Sequence, residues 1–326
     1  MPPKKSYNLR ALRSLTGDPR TSFLLHLCYI FSTLNLRSEG SAALLDSDGY
    51  ITAVLGGWPK NTDWHQVNAE ASAGIKAVRE NIHFTSKQQD NRRTPRPSVP
   101  FGISFGGGAK RPGNLRQSSA FAHETISRLL GLLAFHRIVG FSNVLFKAYA
   151  YRTYLYNQTT LSSLCDWNQK LRRFFKKSVW AACTVNFGPY TVSYPHLDQA
   201  NLCFGWCAIT ALGNFDPDHG GHLVLWDLGY AIRFPPGATI LIPSALLLHS
   251  NLPIQPGEER YSFVQYSSAG IFRWVENGFM SDADFDSSAA APQLAQRKRE
   301  RKERWSSGLQ MFTRWADIEA GHWKGE

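Results

Sequence analysis

Between Ser178 and Ser268 the chain alternates short runs rich in Val, Ile, Leu, Phe, Trp and Tyr with the turn sequences GNFDPDHGG, DLG, PPG and QPGEE. That spacing predicts about eight short strands, closed as a sandwich or barrel of the jelly-roll kind. Ahead of this region the period changes to that of helices. EASAGIKAVRENI within 61–90, and SSAFAHETISRLLGLLAFHRIVGF from Ser118, with Ser119 at the start and a glutamate near the first turn, carry apolar residues at helical spacing. LCDWNQKLRRFFKK (164–177) reads as a basic helix and APQLAQRKRERKERW (291–305) as a highly charged one. Residues 1–60 combine a short apolar helix candidate with the turns DSDGY and GGWP, QQDNRRTPRPSVP (88–100) reads as an extended loop, and no repeat of fixed period occurs. The expected class is α+β, with a jelly-roll core at 101–280 braced by helices. A helical and extended N-terminal region (1–100) packs on that core, and a charged helical extension (281–326) follows it.

Composition narrows the partners. The 326 residues are 43% hydrophobic and 13% aromatic, enough for a sizeable core. Lys plus Arg number 36 against 25 Asp plus Glu, a formal charge of +11, which favours a polyanion such as nucleic acid or an anionic membrane surface. Cys28, Cys165, Cys183, Cys203 and Cys207 form neither zinc-type pairs nor a disulfide framework, as expected in a reducing interior. MPPKKSYNLR lacks an apolar core, and FLLHLCYIF (23–31) is too short to span a bilayer, so a soluble chain is expected.

The chemistry concentrates in the strand-rich region. YPHLDQAN (194–201) sets His196 and Asp198 two apart after an alternating run, PPGATILIPSALLLHSN brings His249 about fifty residues on, and ERYSF places Arg260 eleven residues later with Ser262 two beyond. Two imidazoles and one carboxylate on one face, with other positions open, make the triad suited to non-haem Fe(II). Arg260 and Ser262 on a neighbouring strand supply a planar cationic fork and a hydroxyl for the far carboxylate of a 2-oxo acid. His219 and His222 flank two glycines in DPDHGGHLVLW and read as turn and strand-entry residues; His26, His123 and His136 lie in helical contexts, and Cys203 and Cys207 read as packing residues. FGISFGGGAKRPGNL exposes Lys110 and Arg111 beside three glycines, an arrangement that lets backbone N–H groups and cations approach phosphate.

This order and spacing resemble the Fe(II)/2-oxoglutarate dioxygenase superfamily with its double-stranded β-helix. Within it FGISFGGGAKRPGNL, VNFGPYTVSYPHLDQANLCFGWCAI, GGHLVLWDLGYAIRFPPGATILIPSALLLHSN and ERYSFVQYSSAGIFRWVENGF are similar to the TET/JBP-like branch, in particular its fungal transposon-associated members, over about residues 100–279. The resemblance implies oxidation of the methyl group of 5-methylcytosine in DNA. It gives Fe(II) to His196, Asp198 and His249, and 2-oxoglutarate to Arg260 and Ser262 with Asn186, O2 being the second cosubstrate. It also implies a flipped base held by Asn201 and stacked on Tyr266, because a methyl inside a duplex is out of reach of a buried iron. Lys110, Arg111, Arg92, Arg93 and the 170–177 cluster are the expected grips on phosphate. The animal relatives' cysteine-rich zinc region has no counterpart. The expected partner is double-stranded DNA carrying methylated bases, the expected state a monomer, and the expected location the nucleus. Three other functions compete: an AlkB-like demethylase of N6-methyladenine in DNA or RNA using the same metal site, a catalytically silent nucleic-acid-binding module, and a protein hydroxylase.

Overall fold

The computed structural model describes residues 32–35, 40–60 and 63–321; the apolar run 23–31, with His26 and Cys28, lies outside the described residues. Thirteen strands are described: β1 (Ser32–Asn35), β2 (Ala42–Leu45), β3 (Ile51–Gly57), β4 (Ser98–Ser104), β5 (Gly113–Asn114), β6 (Ala182–Asn186), β7 (Ser193–His196), β8 (Cys207–Asn214), β9 (Leu223–Leu225), β10 (Tyr230–Arg233), β11 (Thr239–Ile242), β12 (His249–Asn251) and β13 (Glu259–Tyr266). They form a large sheet in the order β2-β3-β11-β8-β13-β6-β4-β5 and a small one in the order β1-β10-β9-β12-β7. Strands β6 to β13 are the eight predicted, and they supply both sheets. Together the two sheets are the expected double-stranded β-helix, antiparallel at every pairing among these eight.

Alternation along the strands decides what each face meets, because successive side chains point to opposite sides of a sheet. On β13 Tyr261 and Phe263 face the helical layer. With Val185 on β6 and Phe101 on β4 they bury against Ile75 of the helix Trp64–Asn81, Ile126 and Leu129 of the helix Ala120–Leu130, and Phe135 and Ile138 of the helix Leu133–Tyr149. Arg260 and Ser262 therefore turn inward, toward the space between the sheets. Deeper in that space Leu55, Ala211, Leu223, Leu225, Ile232, Phe234, Ile240 and Ile242 close the barrel with apolar contacts.

Several expectations change. The helix from Ser118 is two helices bent by 65°: Ser119 Oγ accepts from the Ala122 amide at 3.0 Å, Gly131 ends the first, and Leu132 turns extended before the second. The basic helix 164–177 is not continuous. A helix covers Tyr151–Trp167, Asn168 Oδ1 then accepts from the Lys170 amide at 3.1 Å, and Phe174 and Phe175 turn into the core, a packing gain that overrides local helix preference. The N-terminal region does more than pack on the core, since β3 pairs with β11 inside the large sheet and β1 runs parallel to β10 in the small one. The charged helix is found, and it runs from Ala291 to Gln310. No single helix among the described residues is long and apolar enough to cross a membrane.

Candidate metal centre and cosubstrate pocket

Pairing of β12 with β7 sets His249 directly opposite His196. The register alone thus brings together two imidazoles separated by about fifty residues of sequence, with ring centroids 4.3 Å apart and planes tilted by 51°. Asp198 leaves β7 two residues on, and its amide is fixed by a 2.9 Å bond to Ser244 O. One ligand atom from each of His196, Asp198 and His249 lies within 4.8 Å of the others. Each ring donates Nδ1–H to a backbone carbonyl, His196 to Tyr194 O at 2.7 Å and His249 to Leu247 O at 2.8 Å, which leaves both Nε2 lone pairs for a metal. Burial, reinforced by the neighbouring His249, pushes the His196 pKa down to about 4, so its ring is neutral at physiological pH.

The donor set fits a metal on its own terms. Asp198 is 7% exposed, and its Oδ1 is buried without accepting a hydrogen bond, so a lone pair there is open to a cation. Arg93 Nη1 stands 2.9 Å from the same oxygen. Arg93, one of the cations expected on the DNA backbone, thus also pairs with a ligand of the candidate metal centre, and Arg92 is exposed in the neighbouring turn.

A buried charge without a counter-ion among the described residues lies on β13. Arg260 is 2% exposed, its Nε has no partner, and the one hydrogen bond of its guanidinium among the described residues runs from Nη1 to Thr191 O at 3.2 Å. The rings of Phe215 and Phe234 lie 5.7 and 6.0 Å from the guanidinium carbon. Burial pulls its pKa down to about 10, which leaves it cationic. A buried guanidinium without a carboxylate is unfavourable by several kcal/mol unless an anion joins it. Ser262 and Asn186 sit opposite each other across β13 and β6, and Asn186 Nδ2 donates to Ser262 Oγ at 2.8 Å.

Gly188 and Gly213 hold this arginine strand from both sides. Both have positive φ, and a Cβ on either would fall within 2.4 Å of a β13 backbone oxygen. The sequence reading missed the link between the two charges. Thr191 O, which accepts from Arg260, also accepts from Asn251 Nδ2 at 3.0 Å, and Asn251 Oδ1 accepts from Ser193 Oγ at 2.7 Å. Asn251 follows His249 by two residues on β12 and Ser193 opens β7, so one chain of hydrogen bonds ties the arginine to both histidine strands. The available signal was the repeat of a polar residue at the same strand parity in HSN.

The residues expected to receive a base share one end of the barrel. Asn201 Nδ2 donates to Cys207 Sγ and Ser244 Oγ, each at 3.3 Å, while the Leu202 and Ala269 amides bond to Ser267 O and Ala200 O, which stitches the Asp198 loop to the end of β13. Tyr266, on the inward parity of β13, bonds through its phenol to Thr184 Oγ1 at 3.3 Å, and burial pushes its pKa up to about 12. The glycine-rich loop starts at the same end, where the Phe105 amide donates to Ser268 Oγ at 3.1 Å, and Lys110 and Arg111 extend exposed from it. The 170–177 cluster is elsewhere: Arg172 lines a cavity of about 460 Å3 with Phe101 and His123, behind the large sheet. His219 bonds to Asp216 on the surface, and His222 is buried away from the triad, consistent with their reading as turn and strand-entry residues.

The fold has a solved counterpart. NgTET1 in complex with 5mC DNA is 15% identical to this chain, over 81% of this chain and 92% of that one, with a TM-score of 0.52. The two chains share a fold. A weaker superposition, with a TM-score of 0.34 and 17% identity over 64% of this chain and 91% of the other, is with an oxidoreductase of the 2OG-Fe(II) oxygenase family from Burkholderia pseudomallei. No protein-family model matches the sequence, and no curated protein matches it.

Proposed function

We propose that this chain is an Fe(II)- and 2-oxoglutarate-dependent dioxygenase that hydroxylates the methyl group of 5-methylcytosine in double-stranded DNA. The observation that carries the reading is a His-Asp-His cluster, with Asp198 and His249 buried and His196 half-buried, facing the same interior as a buried arginine that has no counter-anion among the described residues. The NgTET1 fold, solved with 5mC DNA, supports the choice of substrate.

Bound at His196, Asp198 and His249, the metal supplies oxidation of a methyl C–H bond by O2, one oxygen atom entering the product alcohol and the other the succinate that forms with CO2 from 2-oxoglutarate. The protein's own residues do the positioning. His196 and His249 offer Nε2 because their Nδ1 protons are held by backbone carbonyls. Arg260 offers a fork to the far carboxylate of 2-oxoglutarate, and Ser262, supported by Asn186, offers a hydroxyl. The phenylalanine rings around Arg260 exclude water, which strengthens that pair. Asn201 and Tyr266 receive the extruded base, while Lys110, Arg111 and Arg92 neutralise phosphates beside it. Nuclear residence and action as a monomer belong to the same proposal.

Nucleoside mass spectrometry after incubation with duplexes carrying 5-methylcytosine or N6-methyladenine, iron, ascorbate and 2-oxoglutarate tests it. The expected product is 5-hydroxymethylcytosine with matching succinate. Formaldehyde released from the adenine duplex, with no change at cytosine, moves the assignment to an N-demethylase. Absence of any product with duplex binding intact makes the chain a binding module.

A further inference from the structure

The last long element of the described chain is the helix Ala291–Gln310, APQLAQRKRERKERWSSGLQ. Between Arg297 and Arg304 it carries six cations and two glutamates, and those charges are sorted around its axis. At 100° per residue, Leu294, Lys298, Arg301, Lys302, Trp305 and Leu309 fall on one flank, while Glu300 and Glu303 fall on the opposite side. Every residue of that basic flank is exposed, Trp305 to 66%. Lys298 and Lys302 pair with no acidic side chain among the described residues.

The helix is held in place. Near its start Arg297 binds Asp282 and Asp286 and lies over the Phe285 ring at 4.6 Å. At its end Arg152 Nη1 donates to Gln310 O at 3.1 Å and Thr153 Oγ1 to Met311 O at 3.2 Å. Gly308 packs so closely on Phe204 that a Cβ there would stand 3.2 Å from the ring. Phe204 belongs to the loop that runs from Asp198 through Asn201 to β8. Asp282 and Asp286 thus neutralise Arg297, and Asp286 also stands 3.8 Å from Arg301 at the edge of the flank, which leaves Lys298 and Lys302 as its unpaired cations among the described residues, at a fixed distance from the metal centre.

We infer that this flank is a contact for the sugar-phosphate backbone of duplex DNA outside the catalytic pocket. The inference rests on the proposed substrate for the identity of the duplex. The partner must be anionic and extended, because the basic flank runs along a helix about 30 Å long. A lipid surface fits less well: a helix lying in a membrane interface separates an unbroken apolar face from its cations, whereas Lys298 and Arg301 interrupt the line from Leu294 to Trp305. Lys298 and Lys302, one turn apart, meet phosphate oxygens, and Trp305, three residues beyond Lys302 on the same flank, covers sugar edges.

Fluorescence anisotropy of the full chain on an unmethylated duplex of about 20 base pairs, across a salt series, reads this contact without turnover. Lys298→Ala with Lys302→Ala is expected to weaken binding at least tenfold at low salt and to lower the slope of log affinity against log salt by about 2. Trp305→Ala is expected to weaken binding several-fold at every salt concentration and leave the slope unchanged. Iron and 2-oxoglutarate binding stay intact in both, which shows that the fold is retained. Unchanged duplex affinity and slope in the lysine variant overturn the inference. So does retained duplex binding with lost sedimentation on phosphatidylserine vesicles, which assigns the flank to lipid. Failure of cytosine oxidation with the binding effect present removes the proposed reaction and leaves this contact standing.

Discussion

Arg260 and the triad set opposite tests on neighbouring residues. A buried guanidinium that waits for a carboxylate loses most when its planar fork is replaced by an ammonium, so Arg260→Lys is expected to raise the 2-oxoglutarate requirement at least tenfold, equal to about 1.4 kcal/mol, with duplex affinity unchanged. Titration of cosubstrate against succinate release measures it. For iron, His249→Ala is expected to abolish binding, whereas His219→Ala retains it, as read by calorimetry with Fe(II) under anaerobic conditions. His219 has a different signature. Its hydrogen bond to Asp216 raises its pKa above the ordinary imidazole value, so its contribution to stability is fully present below about pH 6.5 and is lost as pH rises through the raised folded value. His219→Gln should therefore lower the melting temperature slightly at about pH 5.5 and leave it unaltered at about pH 9.

At the scale of elements, β13 shows what the sequence makes legible. ERYSFVQY alternates strictly, so the inward parity of Arg260, Ser262 and Tyr266 follows from period two once the run is recognised as a strand, and His196-x-Asp198 followed by His249 follows from short-range spacing. Pairings over long separations do not follow. Nothing in RRTPRP marks Arg93 as the cation that meets Asp198 more than a hundred residues later, and the Thr191–Asn251–Ser193 chain exists only through the β7 to β12 register. The break at Gly131 was hidden for a related reason: apolar residues continue at helical spacing across it, and tertiary packing of Phe135 and Ile138 on β13 and β6 sets the bend. That packing is testable. Phe263 is fully buried between helices and sheet, so Phe263→Ala is expected to cost about 3–5 kcal/mol by chemical denaturation, while the iron site, on the other side of β13, keeps its affinity in the folded fraction. Gly188→Ala acts by another route, forcing β13 away at the Arg260 carbonyl, and should show itself first as weaker 2-oxoglutarate binding.

The whole molecule depends on segments that a division at residue 100 separates from the core. β3 pairs with β2 on one side and β11 on the other; Ile51, Ala53 and Val54 on it have no exposure, and β11 in turn lies against β8. The other end of the chain closes on the same strand: the Ile51 amide donates to Thr313 O at 2.9 Å, the Trp315 amide to Gly49 O at 2.9 Å, and Phe312 packs near Trp206, beside the loop that carries Asn201. Losing β3 would bare the hydrogen-bonding edge of β11, expose apolar side chains from both cores, and release the segment that follows the basic helix. A chain beginning at Trp64 is therefore expected to show no cooperative thermal transition by circular dichroism and to bind no Fe(II), even though the triad, Arg260 and every other proposed contact residue remain in it. If that chain instead melted cooperatively and bound iron with full affinity, residues 101–280 would be a self-sufficient barrel, and β3 with the closing segment would be an accessory layer rather than part of the folding unit.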